Sequence, residues 1–420
     1  MLKWISRVKT SWKVENIMFW EKINKHSNLF SVIIGIFVVV LFAVIWTGRP
    51  SSTGSQMGYS LDTVLAQVTS IAEEGQIQLG DVTQTYQIVN IMVLEGEHEH
   101  DFFTVDYGKR SILPTSKLLA KNDKIMVLIS SLPDGTLNAS FIDFVRTDSL
   151  LILGVIFIVL CVVVSRWKGV RSLLGTALSL LVILFFIIPQ ISAGKDPIFT
   201  SIIGSFVFLA LSQYMVYGWT LKSHLAIASI LVSLIITAVL SALFVNFAQL
   251  NGSGDESAVY LLSISDQLNI KDLLIAGIII GTLGVMDDLI VSQVSVVIEI
   301  FRADPNMGFR QRFARAMNVG RDHIAATVNT LVLAYLGSSL PLFLLISTGG
   351  THISTLLNLS ILAEEIVRSL VGTIGLFIAV PISTVLSCWA VDDPQRHSRL
   401  VSVFGPLLGP SDFSEETHHH

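Results

Sequence analysis

The sequence predicts an α-helical polytopic membrane protein with about eight transmembrane helices. An all-β domain, a small barrel or sandwich, is predicted outside the membrane between helices 1 and 2. Three observations carry this. The 420-residue chain is 52% hydrophobic and only 14% charged, against about 25% charged in an ordinary soluble protein, and its mean hydropathy is +0.68. The apolar residues come in blocks long enough to cross a bilayer, which takes roughly 20 residues per helix. One stretch of about 100 residues breaks that pattern, being polar and built from short β-type runs.

Residues 1–28 form a basic segment carrying Lys3, Arg7, Lys9, Lys13, Lys22 and Lys25. The apolar run at 29–47 is longer than a signal-peptide core and lacks a small-x-small cleavage site, so it reads as an uncleaved first helix with its basic end in the cytoplasm. Residues 48–147 are the β-rich domain. Its candidate strands are Tyr86–Leu94, Phe102–Tyr107, Lys124–Ser130 and Leu137–Val145, the last two joined by the turn sequence Leu132-Pro133-Asp134-Gly135. Tyr59–Glu74 reads as a helix or part of a linker.

Residues 148–392 form a seven-helix membrane domain with apolar runs near Ser149–Ser165, Val170–Ile188, Ile198–Tyr217, Leu225–Phe247, Leu273–Phe301, His323–Ile346 and Ile361–Val391. Every second connector is basic, with Arg166, Lys168 and Arg171, then Lys222, then Arg302, Arg310, Arg312, Arg315 and Arg321, then Arg396 and Arg399. This places both termini in the cytoplasm and the β domain outside. Met307–Arg321 mixes Phe309, Phe313 and Met317 with arginines and reads as an amphipathic helix on the cytoplasmic surface. Residues 393–420 are a cytoplasmic tail, and the closing His418-His419-His420 reads as the remnant of a purification tag. Cys161 and Cys388 both fall in apolar runs, which gives neither a disulfide framework nor a metal spacing.

Charged residues inside spans cost about 2.5–3.5 kcal/mol each on insertion scales, so their positions are informative. Asp287 and Asp288 stand together near the middle of the sixth run. Gly277, Gly281, Gly284, Asp288, Ser292, Ser295 and Glu299 recur every three or four residues, which puts a small-and-polar stripe on one helix face. Such a stripe lets a neighbouring backbone approach closely, and on this reading Asp288 is the titrating group and Asp287 its support. The seventh run places His323, Thr327, Thr330, Ala334 and Gly337 on one face with Asn329 beside it. The eighth aligns Glu364, Arg368, Gly372 and Gly375, and Glu364 and Arg368 stand four apart, within pairing reach.

Two readings compete for these residues. Asp287, Asp288, Gln293, Asn329, Thr330, Glu364, Glu365 and Arg368 line an ion, proton or substrate pathway. Alternatively the glycines only pack helices, the hydroxyls satisfy their own backbone, the aspartates form a structural clamp with Asn329, and Glu364, Glu365 and Arg368 sit in a solvated helix end. Glu97-His98-Glu99-His100-Asp101 offers weak metal candidates. On a strand His98 and His100 would share a face, whereas a solvated hairpin tip needs no metal.

From these residues the membrane block resembles the YibE/F-like family of bacterial membrane proteins. The resemblance rests on Gly281-Thr282-Leu283-Gly284-Val285-Met286-Asp287-Asp288 continuing through Gln293, on the run from Arg315 through Asn318, Asp322 and Asn329 to Tyr335, and on Ala363-Glu364-Glu365-Ile366-Val367-Arg368. It covers about Leu150 to Val391. The β domain resembles the family's variable outer domain more weakly. The usual Gly-Asp turn is here Asn122-Asp123, and Asn tolerates the same left-handed conformation. The resemblance implies a multi-pass protein of the bacterial cytoplasmic membrane and no particular reaction.

Two functions follow as expectations. One is an ion- or proton-coupled secondary transporter of an unknown small solute or ion, since coupling needs a protonatable carboxylate at mid-membrane. The other is a non-transporting receptor or assembly factor that binds a partner through its β domain. An intramembrane aspartyl hydrolase fits poorly, because neighbouring aspartates project about 100° apart on one helix. No enzyme activity and no cofactor are expected. The expected partners are the lipid bilayer and a second copy or related membrane protein, not nucleic acid.

Overall fold

The computed structural model describes residues 63–80, 82–110, 112–113, 117–131, 136–264, 268–348 and 353–408. The basic segment at 1–28, the first apolar run at 29–47, the Pro133-Asp134 turn and the terminal histidines lie outside the described residues. The chain divides into two units at Val164 and Ser165.

In the first unit, five antiparallel strands, β1 (Thr63–Leu79), β2 (Val82–Val93), β3 (Phe102–Tyr107), β4 (Lys124–Ser131) and β5 (Leu137–Phe144), form a sheet in the order β3-β2-β1-β4-β5. Alternation drives it. Ala66 and Val68 on β1, Val89 and Ile91 on β2, Val105 and Tyr107 on β3, and Ile125 and Val127 on β4 are buried together, as a period of two on one sheet face requires. The Tyr107 ring meets Phe141 and Phe144 of β5 edge-on at 4.8 and 6.2 Å, which draws the two edge strands towards each other. Asn122 takes φ 75°, the left-handed turn that Asn tolerates.

Of Tyr59–Glu74, residues 59–62 lie outside the described residues, and residues 63–74 are neither helix nor linker but part of β1, the central strand. Its first residues pair with β4 and its whole length from Ala66 with β2. β1 pairs with β4 only at Thr63–Gln67, and β2 with β3 only from Gln87 to Met92. Residues 70–86 are therefore a two-stranded ribbon that runs beyond the sheet. At its base Gly75 faces Tyr86, and a Cβ there would stand 2.9 Å from the ring. The Tyr86 hydroxyl donates to Glu73 at 2.5 Å and Lys109 Nζ donates to the same carboxylate at 2.9 Å. The Tyr86 bond, with that of Lys109, holds Glu73 below the usual carboxylate range. The segment His98–Asp101 is a turn between β2 and β3, not a strand, and His100 has φ 75°. The same-face argument for His98 and His100 therefore does not apply. His98 Nδ1 lies 3.2 Å from Asp101 and His100 Nε2 3.6 Å from Glu99.

Helix α1 (Thr147–Arg166) buries none of its residues in the chain, and its regular geometry breaks at Arg166, φ 49°. The second unit continues with α2 (Gly169–Ser192), which contains one π-turn, then α3 (Pro197–Tyr217), α4 (Leu221–Phe247), α5 (Glu256–Ile264), α6 (Ile270–Ala303), α7 (Phe309–Ser338), α8 (Leu340–Thr348), α9 (Ser360–Asp392) and α10 (Pro394–Phe404). Local chemistry starts these helices. Asp196 accepts from Phe199 N ahead of Pro197, Thr220 accepts from Ser223 N, and Asn269 accepts from Lys271 N and Asp272 N, each satisfying amide groups a helix start leaves open. Among the described residues six helices, α1, α2, α3, α4, α6 and α9, are long and apolar enough to cross a membrane.

The core is α6 packed against α4 and α9, with Ile275, Ile279, Met286, Ile290, Val294, Leu234 and Leu376 among its buried residues. Small residues bring these helices close. Ser229, Ser233, Thr237 and Ser241 of α4 are all 0% exposed, and each hydroxyl donates to the carbonyl four residues earlier. Opposite them, a Cβ on Gly375 would lie 2.5 Å from Thr237 Oγ1 and 2.6 Å from Met286 Cε. This is close packing through small and hydroxyl side chains.

The amphipathic segment and the seventh run differ from expectation. Met307–Arg321 is not a separate surface helix, because α7 runs unbroken from Phe309 through Asn329 to Ser338. The seventh apolar run is split between the second half of α7 and α8. The buried residues of α7, Arg312, Ala316, Gly320 and Ile324, all lie in its first half. Arg312 is 1% exposed, donates to Met307 O at 2.5 Å, stands over the Phe301 ring at 5.2 Å and faces Asp392 at 3.6 Å. Gln293 Nε2 completes the grip, donating to Ala316 O and Thr384 Oγ1 at 3.0 and 2.8 Å. Beyond Ile324, Ala325, Asn329, Thr330, Ala334 and Gly337 are exposed.

Candidate functional site

Asp287 stands 17 residues after Ile270 and 16 before Ala303, so it lies about 25 Å from either end of α6 at ~1.5 Å per residue. A carboxylate there needs a partner or water. It has one on another helix, since Gln213 Nε2 of α3 donates to Asp287 Oδ1 at 2.5 Å. Gln213 is 2% exposed, and its Oε1 has no hydrogen-bond partner. The amide orientation follows from chemistry, because only the NH₂ end can face an acceptor carboxylate.

These groups line a groove of about 240 Å³ between α2, α3 and α6. Ser172, Thr176 and Ser179 of α2, Ser212 and Gln213 of α3, and Asp287 and Asp288 of α6 supply its polar lining, and Phe208, Val216 and Val291 its apolar part. Thr176 Oγ1 donates to Ser172 O and Ser179 Oγ to Thr176 O, so both hydroxyls keep lone pairs to offer. Gly175 lets α2 approach α3, since a Cβ there would stand 3.2 Å from Ser212 Oγ. Among the described residues no Lys, Arg or His lines the groove.

Among the described residues the stripe on α6 is not a packing face. A Cβ on Gly277 or Gly284 would meet nothing within 4 Å, and one on Gly281 only Tyr335 Oη at 3.8 Å. Gly277, Gly281, Gly284 and Asp288 are exposed, while the opposite face carries the buried core. Asp288, on the stripe, faces the open groove, and Asp287 is the half-buried, hydrogen-bonded one. Periodicity reveals a stripe but not whether another helix covers it.

The remaining candidates do not join this groove. The aspartate clamp is made by Gln213, not Asn329, which is exposed. Thr330 and Thr327 donate to their own helix at Ala326 O and His323 O. Gln293 holds helices together, as described above. Arg368 pairs with Glu365 at 2.9 Å rather than with Glu364, because Glu364 is buried and turned inward to accept from Gly254 N at 3.1 Å. Sequence reasoning missed Ser172, Thr176, Ser179, Ser212 and Gln213. A signal existed: Ser172, Gly175, Thr176 and Ser179 repeat the three-and-four spacing of α6, and Gln213 is a lone amide in an apolar run.

Among the described residues no cluster of three or more His, Cys, Asp or Glu is placed to hold a metal. Residues 153–393, more than half of the chain and including every groove residue, match the family described as YibE/F-like protein. No curated protein and no solved structure matches.

Proposed function

This chain belongs to the YibE/F-like family, and on that footing we propose that it is an ion-coupled secondary transporter whose coupling site is the groove of Gln213, Asp287 and Asp288. One observation carries the reading: two carboxylates at the middle of α6 and a buried amide near the end of α3, on helices long enough to span a bilayer, line an open polar groove. Ionisable groups at that depth are costly and characteristic of ion and substrate pathways. The solute carried is a small molecule or ion.

The proposal includes an orientation in the bacterial cytoplasmic membrane, with both termini inside and the β domain outside. The basic connectors support it, and so do two contacts. Arg312 to Asp392 joins the α6–α7 connector to the end of α9, and Glu364 to Gly254 joins the α4–α5 connector to its beginning. These groupings fit strict alternation if the second half of α7 with α8 makes one crossing between Ala303 and Ser360. With the run at 29–47, that gives eight spans.

Purified protein in proteoliposomes tests the function. Ion flux, followed with a pH dye and with ²²Na⁺ across a panel of solutes, should exceed that of protein-free vesicles. Asp287→Asn and Asp288→Asn should reduce it while eluting as folded protein. Flux equal in both variants and wild type, or none under any gradient, overturns the proposal.

A receptor or assembly factor is the second reading, and the ribbon at residues 70–86 favours it. Its outer edges are unpaired by the sheet, which is the geometry that accepts a partner strand. That reading expects full activity from both aspartate variants.

A further inference from the structure

We propose that the groove binds an alkali-metal cation, with sodium the probe of choice, through Gln213 Oε1, the carboxylate of Asp288, and the hydroxyls around them. The inference rests on reading the groove as an ion site and adds which ion it takes. Four observations carry it.

First, every polar side chain lining the groove offers oxygen, and hard cations prefer oxygen ligands. The one amide donor, Gln213 Nε2, is already spent on Asp287. Second, Gln213 Oε1 is enclosed without a hydrogen-bond partner. Leaving a buried acceptor unpaired costs about 1–3 kcal/mol, and a cation in the groove removes that cost. Third, no basic side chain among the described residues competes for the carboxylates. Lys222 lies over the ring of Tyr217, which also lines the groove, at 4.4 Å, and is not itself part of the lining. An anionic ligand would meet two carboxylates and no counter-charge.

Fourth, the charge and ligand geometry favour a single positive charge. Asp287 already accepts from Gln213 Nε2, and the two aspartates project about 100° apart on one helix, which leaves Asp288 as the carboxylate open to an ion. Mg²⁺ requires near-ideal octahedral ligands and keeps its water, and Ca²⁺ takes six to eight oxygens with several carboxylates among them. One carboxylate, one amide oxygen and neighbouring hydroxyls suit Na⁺ or Li⁺ better.

Equilibrium binding of ²²Na⁺ to the full-length protein in nanodiscs, with choline balancing ionic strength, tests this. Wild type should bind sodium saturably, with competition by unlabelled Na⁺ and Li⁺ and little by equimolar Mg²⁺ or Ca²⁺. Gln213→Leu should bind roughly tenfold more weakly, whereas Ser387→Ala, a buried hydroxyl outside the groove, should bind as wild type. If Gln213→Leu does not give the wild-type elution profile, Asp288→Asn carries the comparison, since its side chain faces open groove. No saturable sodium binding by wild type, stronger displacement by divalent ions, or unchanged affinity in the groove variants overturns the inference. Flux without sodium binding refutes the sodium site and leaves transport standing. Sodium binding without flux does the reverse.

Discussion

Replacing Asp287 by Ala removes the partner of Gln213 Nε2 and leaves a side chain that is 2% exposed with neither end bonded. A hydrogen bond to a charged group contributes about 1.5–3 kcal/mol, and an unpaired buried donor costs about 1–3 kcal/mol. These overlap, so a loss of about 2–3 kcal/mol is expected. Asp288→Ala, on the open side of the same helix, should stay within about 0.5 kcal/mol, as substitutions away from buried networks do. Asp287→Asn keeps an acceptor oxygen at the same place and should fall between them. Thermal unfolding in one detergent, read by intrinsic fluorescence, ranks the three. The double variant Gln213→Leu with Asp287→Ala should lose less than the sum of its parts, because each change removes the same bond. Equal melting of Asp287→Ala and Asp288→Ala, or strict additivity in the double variant, would refute the pairing on which the site is built.

Three further outcomes are expected. Gly375→Ala should destabilise, since its Cβ would meet Thr237 Oγ1 at 2.5 Å and Met286 Cε at 2.6 Å; overpacking of about 1–3 kcal/mol outweighs about 1 kcal/mol of helix propensity. Gly284→Ala, with nothing within 4 Å, should melt at or above wild type. Burial holds His397, whose Nδ1 is unpartnered and whose ring lies 5.3 Å from Phe301, below its ordinary value of 6.5. The neutral form is therefore the docked one, and α10 docking should weaken as pH falls below that value; hydrogen exchange over 394–404 should be faster at about pH 5.5 than at about 7.5, and His397→Phe should abolish the difference. Single cysteines at Thr136 and Asp255 should react with an impermeant reagent outside intact cells and one at Gln311 should not, and labelling of Gln311 from outside would invert the topology.

The sequence was most legible where one element determines its own pattern. Tyr86, Phe102, Lys124 and Leu137 begin or lie in alternating runs that the sheet preserves, and six of the apolar blocks, all but the first and the seventh, are helices at nearly the expected bounds. β1 was misread because Ala72-Glu73-Glu74-Gly75 is poor strand material; β2, not local preference, holds those residues extended. The aspartates stood out because charge in an apolar run is conspicuous. Their partner did not, because Gln213 is 74 residues away on another helix and a single sequence carries no signal joining the two. The α6 stripe failed in the same way. Spacing fixes which residues share a face, but only the placement of α2, α3 and α7 decides whether that face is filled. Glu364 illustrates the rest, since its i+4 partner Arg368 was in reach but a backbone amide from a distant connector won.

The grip on Arg312 gives α7 the mechanics of a cantilever. Phe301, Met307, Asp392 and Gln293 fix its first four turns, and beyond Ile324, among the described residues, Val328 and Leu331 rest half-buried on the core while the last two turns are held only lightly. The lightly held arm from Leu331 to Ser338 is about 10 Å long at ~1.5 Å per residue, so a tilt of roughly 10° at its root swings the tip by about 2 Å. Tyr335 rides near that tip, its hydroxyl beside Gly281, where the absence of a side chain leaves it room to sweep. Deflection of this beam is thus concentrated over the bare glycines of α6, and a stiffer root, not a change at the tip, is what would damp it.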